Sequence, residues 1–247
     1  MSTSIELTAS LLRIRAREVV GYLRFLRLAL ENDSYIGADR AGVRQQLNKG
    51  VTHTLKANLC LLLYSAMEAT LVQLMDEMYE AIGRNCKGAD QLNGQLLLMV
   101  ARNFKGRKTD GDEINTRAPL HVSLFQAWVA DWKALESAKD KRAVGISGSV
   151  DSRAIAKQLR KFGVLPQESQ DTPAHLSSPA LLRAKNRRNQ LAHGEKSFAE
   201  LGKDLAFEEL REDARQVFLI LIRVAKEVDS FLTYRRYLAA PFATAAA

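Results

Sequence analysis

Three long stretches of this chain follow the helical period without a proline, and they constrain its fold more than any other feature. Residues 3–32, 50–83 and 207–238 each repeat apolar side chains three or four positions apart over roughly 30 residues. The whole chain of 247 residues contains only five Pro and 14 Gly, so few positions interrupt a helix. We therefore predict an all-α protein.

Shorter helical patterns lie between these stretches. We predict further helices at about 89–104, 120–138, 152–162 and 179–193. The fold class that follows is an up-and-down bundle of long antiparallel helices with shorter accessory helices. We expect a single helical domain over 1–240 and a frayed Ala-rich tail over 241–247.

Charge and cysteine use indicate the class of partner and the compartment. The net charge is +8, which suits an anionic partner such as nucleic acid but also fits a need for solubility alone. Cys60 and Cys86 lack a CxxC spacing and are typical of reduced thiols in a cytoplasmic protein. Because early charges such as Arg13 interrupt the first apolar run, we expect no signal peptide, and the densest apolar run, Leu59 to Tyr64, predicts no membrane span.

The first predicted helix carries a row of arginines opposite its apolar face. Leu12, Val19, Leu23, Leu26 and Leu30 share the face that we expect to be buried, whereas Arg13, Arg17, Arg24 and Arg27 stay outside. This row is typical of a solvated helix surface, and a stripe that follows the phosphates of a nucleic acid is the second interpretation.

The most informative stretch is 181–198, which reads LLRAKNRRNQLAHGEKSF. Ser178 and Pro179 have the residue types of an N-cap and a first helical position, and Gly194 that of the residue just beyond a helix. The pattern predicts about four helical turns that end at His193. The dipole of this helix would favour the protonated imidazole in its last turn.

Arg188 is unusual because it shares a helical face with apolar residues. Leu181, Ala184 and Leu191 lie on that face, and burial of an unpaired guanidinium there would be costly. Asn186, Asn189 and His193 line its flank. A guanidinium, two amides and an imidazole are therefore expected beside the core.

The string from Arg188 to Phe198 resembles a known signature. Arg followed by four residues and His, within RNxLAHGxxSF, resembles the HEPN superfamily of all-helical ribonucleases and its MAE-type branch. Ser147-Gly148-Ser149-Val150-Asp151 and Phe162-Gly163 also resemble that branch, although the family more usually has Asn where this chain has Ser149.

The resemblance implies a metal-independent endoribonuclease that acts as a toxin or as an antiviral defence effector in the cytoplasm. It implies catalytic roles for Arg188 and His193. Asn189 could orient the scissile phosphate or the imidazole, and we predict contacts with RNA from Lys185, Asn186 and Arg187. Because each chain supplies one such histidine, the resemblance also implies a homodimer with a composite active site. An antitoxin or defence-system partner is a further expectation, and no cofactor is expected.

Several alternatives remain open at this level. The spacing of Arg188 and His193 also suits a structural pair that ties a helix end to its neighbours, and a HEPN helical adaptor or RNA-binding module need not cleave. The four histidines lie outside metal-ligand spacings, so we predict no metal site. Glu68 interrupts an apolar row of the second helix, which leads to the hypothesis that it pairs with Arg188 and orients it.

Overall fold

The computed structural model describes residues 4–31, 35–36, 45–106, 119–137, 150–167 and 171–240. Within them lie eight α-helices: α1 (Glu6–Glu31), α2 (Lys49–Asn85), α3 (Gly94–Gly106), α4 (Leu120–Ser137), α5 (Ser152–Phe162), α6 (Pro179–Ala192), α7 (Phe198–Lys203) and α8 (Phe207–Thr233). Two 3-10 helices, Ala89–Gln91 and Ala174–Leu176, and one antiparallel pair, β1 (Tyr35–Ile36) with β2 (Gln45–Gln46), complete these elements. The all-α fold class, a HEPN-like helical bundle, is confirmed.

The apolar pattern of the sequence misplaces the end of α8 and misses α7. The predicted helix 207–238 instead ends at Thr233, because the chain turns at Arg235, whose φ is +49°. Backbone bonds beyond that turn tie Tyr237 to Asn93 at 2.8 Å. The pattern also missed α7, whose six residues are too few to show a helical period.

Packing divides the chain into two compact units. Unit 1 comprises Met1–Ala9, Thr70–Ser177 and Arg223–Ala247, and unit 2 comprises Ser10–Ala69 and Ser178–Ile222. The predicted single domain over 1–240 stays a prediction, and the tail at 241–247 lies outside the described residues.

Unit 2 has its own apolar core. The buried members are Val19, Leu26, Ala57, Leu59, Cys60, Leu63, Leu201, Leu205, Leu210 and Ala214. They come from α1, the first half of α2, α7, the loop that follows α7, and α8. Leu191 of α6 packs against the same cluster while remaining partly exposed. This core therefore holds the C-terminal end of α6, where the sequence predicts the functional residues.

Polar contacts and one glycine fix the helices of unit 2 against α2. The Tyr22 hydroxyl donates to the Leu55 carbonyl at 2.8 Å, and the Lys56 ammonium donates to the Leu205 carbonyl at 2.8 Å. A Cβ at Gly202 would lie 1.8 Å from the carbonyl oxygen of His53, so only glycine lets α7 approach α2 this closely.

Aromatic side chains pack against one another in unit 1. The Tyr79 ring lies 5.0 Å from that of Trp128 and 5.1 Å from that of Phe162, measured between centroids. The buried Glu77 carboxylate accepts the backbone N–H groups of Leu7 and Thr8, each at 2.8 Å. Those donors have no partner within α1, so Glu77 satisfies the first turn of this helix.

Among the described residues, one helix passes a length and composition test for a membrane span. That helix is α2, whose best 18-residue window has a mean hydropathy of 1.3. The apolar part of α2 is longer than the run Leu59 to Tyr64 on which the sequence-based prediction rests. However, 61% of the window is buried inside the protein, which is the pattern of a core helix.

Candidate active site at the C-terminal end of α6

Both ends of α6 follow the residue types that the sequence offers. Ser178 is the N-cap and accepts a hydrogen bond from the Ala180 N–H at 3.2 Å, and Pro179 opens the helix. At the other end, Gly194 has φ +70°, and the Glu195 N–H donates to the Gln190 carbonyl at 2.9 Å. This left-handed ending makes His193 the C-cap, as predicted.

The last residues of the RNxLAHGxxSF motif, Ser197 and Phe198, belong to the start of the next helix, α7. The Ser197 hydroxyl accepts the Glu200 N–H at 3.2 Å, and the Glu200 carboxylate accepts the Ser197 N–H at 2.8 Å. This reciprocal capping box starts α7 and lowers the pKa of Glu200. Turn chemistry thus explains Gly194, Ser197 and Glu200, but it explains neither the Arg188 nor the His193 side chain.

Two neighbours fix the Arg188 guanidinium. It lies over the ring of Tyr64, with Cζ 5.0 Å from the centroid, and its Nη1 donates to the Asn189 amide oxygen at 3.2 Å. Tyr64 is buried, whereas Arg188 is half-buried. Since a guanidinium carries five donors, most of them remain for an anion. Arg188 is therefore a held, partly accessible cation.

Asn189 links the two residues of the Arg-x4-His motif. Its side chain accepts from Arg188, and its backbone carbonyl accepts the His193 N–H at 2.9 Å. The oxygen of the amide must face Arg188, because arginine has no acceptor, and so the amide N–H groups point elsewhere. His193 itself is exposed to solvent. The arrangement offers an anchored guanidinium, an amide donor and an accessible imidazole on two helical turns.

The other arginines of α6 are bound to carboxylates of α8. Arg183 Nε lies 3.1 Å from an Asp213 oxygen, and Arg187 Nη1 lies 2.7 Å from the other oxygen. Arg187 also contacts Glu209. Asp213 is 1% exposed, and the Arg187 side chain is 12% exposed. A buried carboxylate is thus neutralised by two arginines one helical turn apart, which anchors α6 to α8.

Cys60 of α2 borders this ion-pair cluster. Its thiol is 1% exposed, and burial raises its pKa to about 11, although the positive charge of Arg187 opposes the rise. Both cysteines are free and buried, in agreement with the predicted reduced thiols. A thiol with so high a pKa is a poor nucleophile at neutral pH.

The predicted ion pair between Glu68 and Arg188 does not form in this structure. In the described part of the chain, no carboxylate lies within 4.0 Å of the Arg188 guanidinium. The hypothesis assumed that Arg188 is buried and needs an anion. It is half-buried instead, and Tyr64 and Asn189 provide its contacts, so Glu68 does not orient it directly.

The predicted substrate contacts differ in their placement. Asn186 is exposed and Lys185 is half-buried, and their contact with RNA stays a prediction. Arg187 instead points toward α8, where two carboxylates bind it. This pairing argues against its predicted contact with substrate. The Ser147-Gly148-Ser149 part of the upstream motif lies outside the described residues.

Sequence reasoning missed Tyr64, Glu209 and Asp213 as partners of the α6 arginines. Acidic residues near the start of α8, such as Glu209 and Asp213, suit the helix dipole, and this local explanation predicts no partner on another helix. A sharper signal was available, because Asp213 lies on the helical row of the buried residues Leu210 and Val217. In the residues that the structure describes, no three His, Cys, Asp or Glu side chains form a group that could hold a metal ion.

The fold and the α6 motif define a HEPN-type helical domain with an Arg-x4-His motif. Comparison with family models gives the finer assignment: the MAE_28990-like HEPN family matches residues 9–237, and the chain belongs to it. No curated protein and no solved structure was found to match the chain.

Proposed function

We propose that this HEPN protein is a metal-independent endoribonuclease that cleaves RNA through its own 2′-hydroxyl group. The observation that supports the proposal is the pairing, at the end of α6, of a held guanidinium with a solvent-accessible imidazole. These groups match the two requirements of the reaction, which are stabilisation of a phosphorane charge and proton transfer.

The reaction divides into one bond formed and one bond broken. A base removes the 2′-OH proton, the oxygen attacks the adjacent phosphorus, and the bond from phosphorus to the 5′-oxygen breaks. An acid protonates the leaving 5′-oxygen, so the products are a 2′,3′-cyclic phosphate and a 5′-hydroxyl. His193 can serve as either proton carrier. Arg188 would stabilise the charge on the non-bridging oxygens, with Asn189 as a neighbouring amide donor.

A homodimer would supply the second proton carrier. Each chain has one histidine on α6, whereas simultaneous removal and delivery of a proton needs two groups. A two-fold axis near the end of α6 would place both His193 side chains in one cleft, because the same patch of each copy then meets its equivalent. We include this composite site in the proposal.

The cellular role that we propose is a toxin or antiviral defence effector in the cytoplasm. An uncontrolled nuclease would damage its own cell, so this role includes restraint by an antitoxin or a defence-system partner. Induced expression should arrest growth, and His193→Ala should relieve the arrest. RNA ends collected after induction should carry cyclic phosphates at the cleaved positions.

The decisive test is cleavage of single-stranded RNA in EDTA by the purified chain. We expect products with cyclic-phosphate ends and a loss of several orders of magnitude for His193→Ala. His175→Ala is the matched control, since it removes a solvent-accessible histidine of unit 1, away from the candidate site in unit 2. Loss of activity in EDTA, or full activity of His193→Ala, would contradict the proposal.

Subunit mixing tests the composite site separately. Heterodimers with one intact His193 should be inactive if each cleavage event needs both imidazoles. Activity in such heterodimers would contradict the composite site, but it would be compatible with the proposed nuclease activity. A monomer at micromolar concentration in light scattering would count against the dimer itself.

A binding-only HEPN module is the second candidate. The observation that favours it is the presence of one imidazole on α6, which can act as a hydrogen-bond donor to bound RNA without any reaction. Such a module would bind RNA, fail to produce cyclic-phosphate ends and leave growth unaffected. The EDTA assay therefore distinguishes the two candidates directly.

A further inference from the structure

The solvent-facing side of α1 carries a row of exposed arginines in unit 2. Arg13, Arg17, Arg24 and Arg27 are all exposed and follow one another by four, seven and three positions. This spacing places them in one row along the helix, on the side away from the buried Leu12, Val19 and Leu26. We call these four arginines, together with the exposed Ile14, Phe25 and Leu28 beside them, the α1 basic face.

Three arginines of this row differ from the exposed arginines of α8 in their ion pairs. The guanidinium groups of Arg13, Arg17 and Arg24 form no ion pair with any residue that the structure describes. Exposed arginines of α8 differ: Arg211 pairs with Glu208 at 2.6 Å, and Arg215 pairs with Glu212 at 2.9 Å.

An exposed apolar row runs directly beside the arginines. Ile14 is 49% exposed, Phe25 is 51% exposed and Leu28 is 67% exposed, with Gly21 between them. These positions share the same four-and-three spacing, so they form a second row parallel to the first. A Cβ on Gly21 would meet nothing within 4 Å, which leaves a shallow gap in the middle of the row.

We propose that the α1 basic face binds the backbone and bases of single-stranded RNA. With a rise of 1.5 Å per residue, the row from Arg13 to Arg27 covers about 21 Å along α1. Guanidinium groups bind phosphate oxygens, and the exposed Phe25 ring offers a stacking surface for a base in the parallel row. This surface does not depend on cleavage, because an RNA-binding module without nuclease activity would use it equally.

The details of the two rows favour RNA over an anionic membrane surface. A helix that lies in the bilayer interface buries a continuous apolar face into the boundary of headgroups and acyl chains. The apolar row of α1 instead contains Glu18, whose side chain is 44% exposed, and it is interrupted at Gly21. Separate apolar contacts suit separate bases better than they suit a lipid phase.

The test measures RNA binding in the His193→Ala background, so that cleavage cannot interfere. The variant Arg13→Gln/Arg17→Gln/Arg24→Gln should bind fluorescent single-stranded RNA roughly 10- to 100-fold more weakly. The slope of log affinity against log salt should also become shallower by about 2, since each lost phosphate contact contributes about 0.7. Phe25→Ala alone should weaken binding about five-fold or more.

The matched control removes the same charge from paired arginines. Arg84→Gln/Arg211→Gln/Arg215→Gln takes three charges from ion pairs with glutamates and should leave the salt slope close to that of the parent. Equal slopes for the α1 variant and this control would overturn the inference. So would an α1 variant that binds RNA normally but loses binding to phosphatidylserine vesicles.

The outcome is separable from that of the proposed nuclease. Salt-dependent binding through α1 with no cleavage by the parent chain would remove the nuclease and leave the α1 surface. If the parent chain cleaves RNA but the α1 variant has an unchanged salt slope, the nuclease is supported and the α1 surface is contradicted.

Discussion

Helices α6 and α1 of unit 2 both carry several arginines, but the structure treats the two sets in opposite ways. On α6, Arg183 and Arg187 bind α8 carboxylates, and Arg188 lies on a tyrosine ring. On α1, the guanidinium groups of Arg13 and Arg17 form no ion pair with any described residue. The number of positive charges on a helix therefore does not reveal its role, whereas the partners of those charges do.

The physical difference between the helices is desolvation. Arg187 and Asp213 are mostly removed from water, so each depends on the other for its electrostatic stabilisation. The exposed α1 arginines keep their hydration and can exchange it for the phosphates of an external ligand with release of counterions. Arg188 is intermediate, since contacts fix its position while it remains partly accessible.

The largest contrast should be in catalysis. Arg188→Ala should lower kcat by about 10²- to 10³-fold, as expected when one charged donor to a transition state is removed. Arg17→Ala, which removes the same group from α1, should change kcat by less than about three-fold, because it affects only binding. Single-turnover cleavage at saturating enzyme measures both. Similar losses for the two variants would refute the distinction between the helices.

The next contrast concerns stability. Asp213→Ala should lower the free energy of unfolding by about 3–5 kcal/mol, because it leaves Arg187 without its buried partner. Urea denaturation measures this value. Glu209→Ala is the control, and it should cost less than about 1 kcal/mol, since the Glu209 side chain is 39% exposed. A loss for Asp213→Ala as small as that of the control would show that the buried pair is not the anchor of α6.

A smaller effect should link Arg188 to Tyr64. A double-mutant cycle with Tyr64→Leu and Arg188→Met isolates the contact between the guanidinium and the ring from the packing of the ring itself. We expect a coupling of about 0.5–2 kcal/mol in the free energy of unfolding. A coupling near zero would mean that the ring does not hold Arg188.

The smallest effect should be the stability of the α1 variant. Arg13→Gln/Arg17→Gln/Arg24→Gln should change the free energy of unfolding by no more than about 0.5 kcal/mol, because these side chains have no described ion-pair partner to lose. Thermal unfolding followed by circular dichroism measures it. A loss well above that value would show that the arginines stabilise the fold, which would remove the contrast with α6.

Much of the fold could be predicted because helix ends are governed by local chemistry. Ser178, Pro179 and Gly194 bound α6 through capping, a fixed φ and a left-handed turn, all of which depend on residues close in sequence. The end of α8 was placed too late because its stop is Arg235 in a left-handed conformation. Arginine does not signal that conformation as glycine does.

For the candidate site, positions along α6 could be predicted from the sequence, whereas contacts with other helices could not. The positions of Arg188, Asn189 and His193 on the last turns of α6 follow from helical spacing, and the structure places them there. Their partners did not follow. Spacing presented Glu68 as the counter-charge of Arg188, but the contact is with Tyr64, and the buried acid of the cluster is Asp213 on α8.

By itself, the sequence determined the all-α class, the bounds of α6 and the Arg-x4-His motif of the HEPN family, because periodicity, capping and motif spacing act within a few turns of one helix. Only the tertiary structure decided which α6 arginines are neutralised and which α1 arginines remain open to solvent. That outcome depends on contacts between residues far apart in the chain, such as Arg187 with Asp213, and on the burial that makes such contacts necessary.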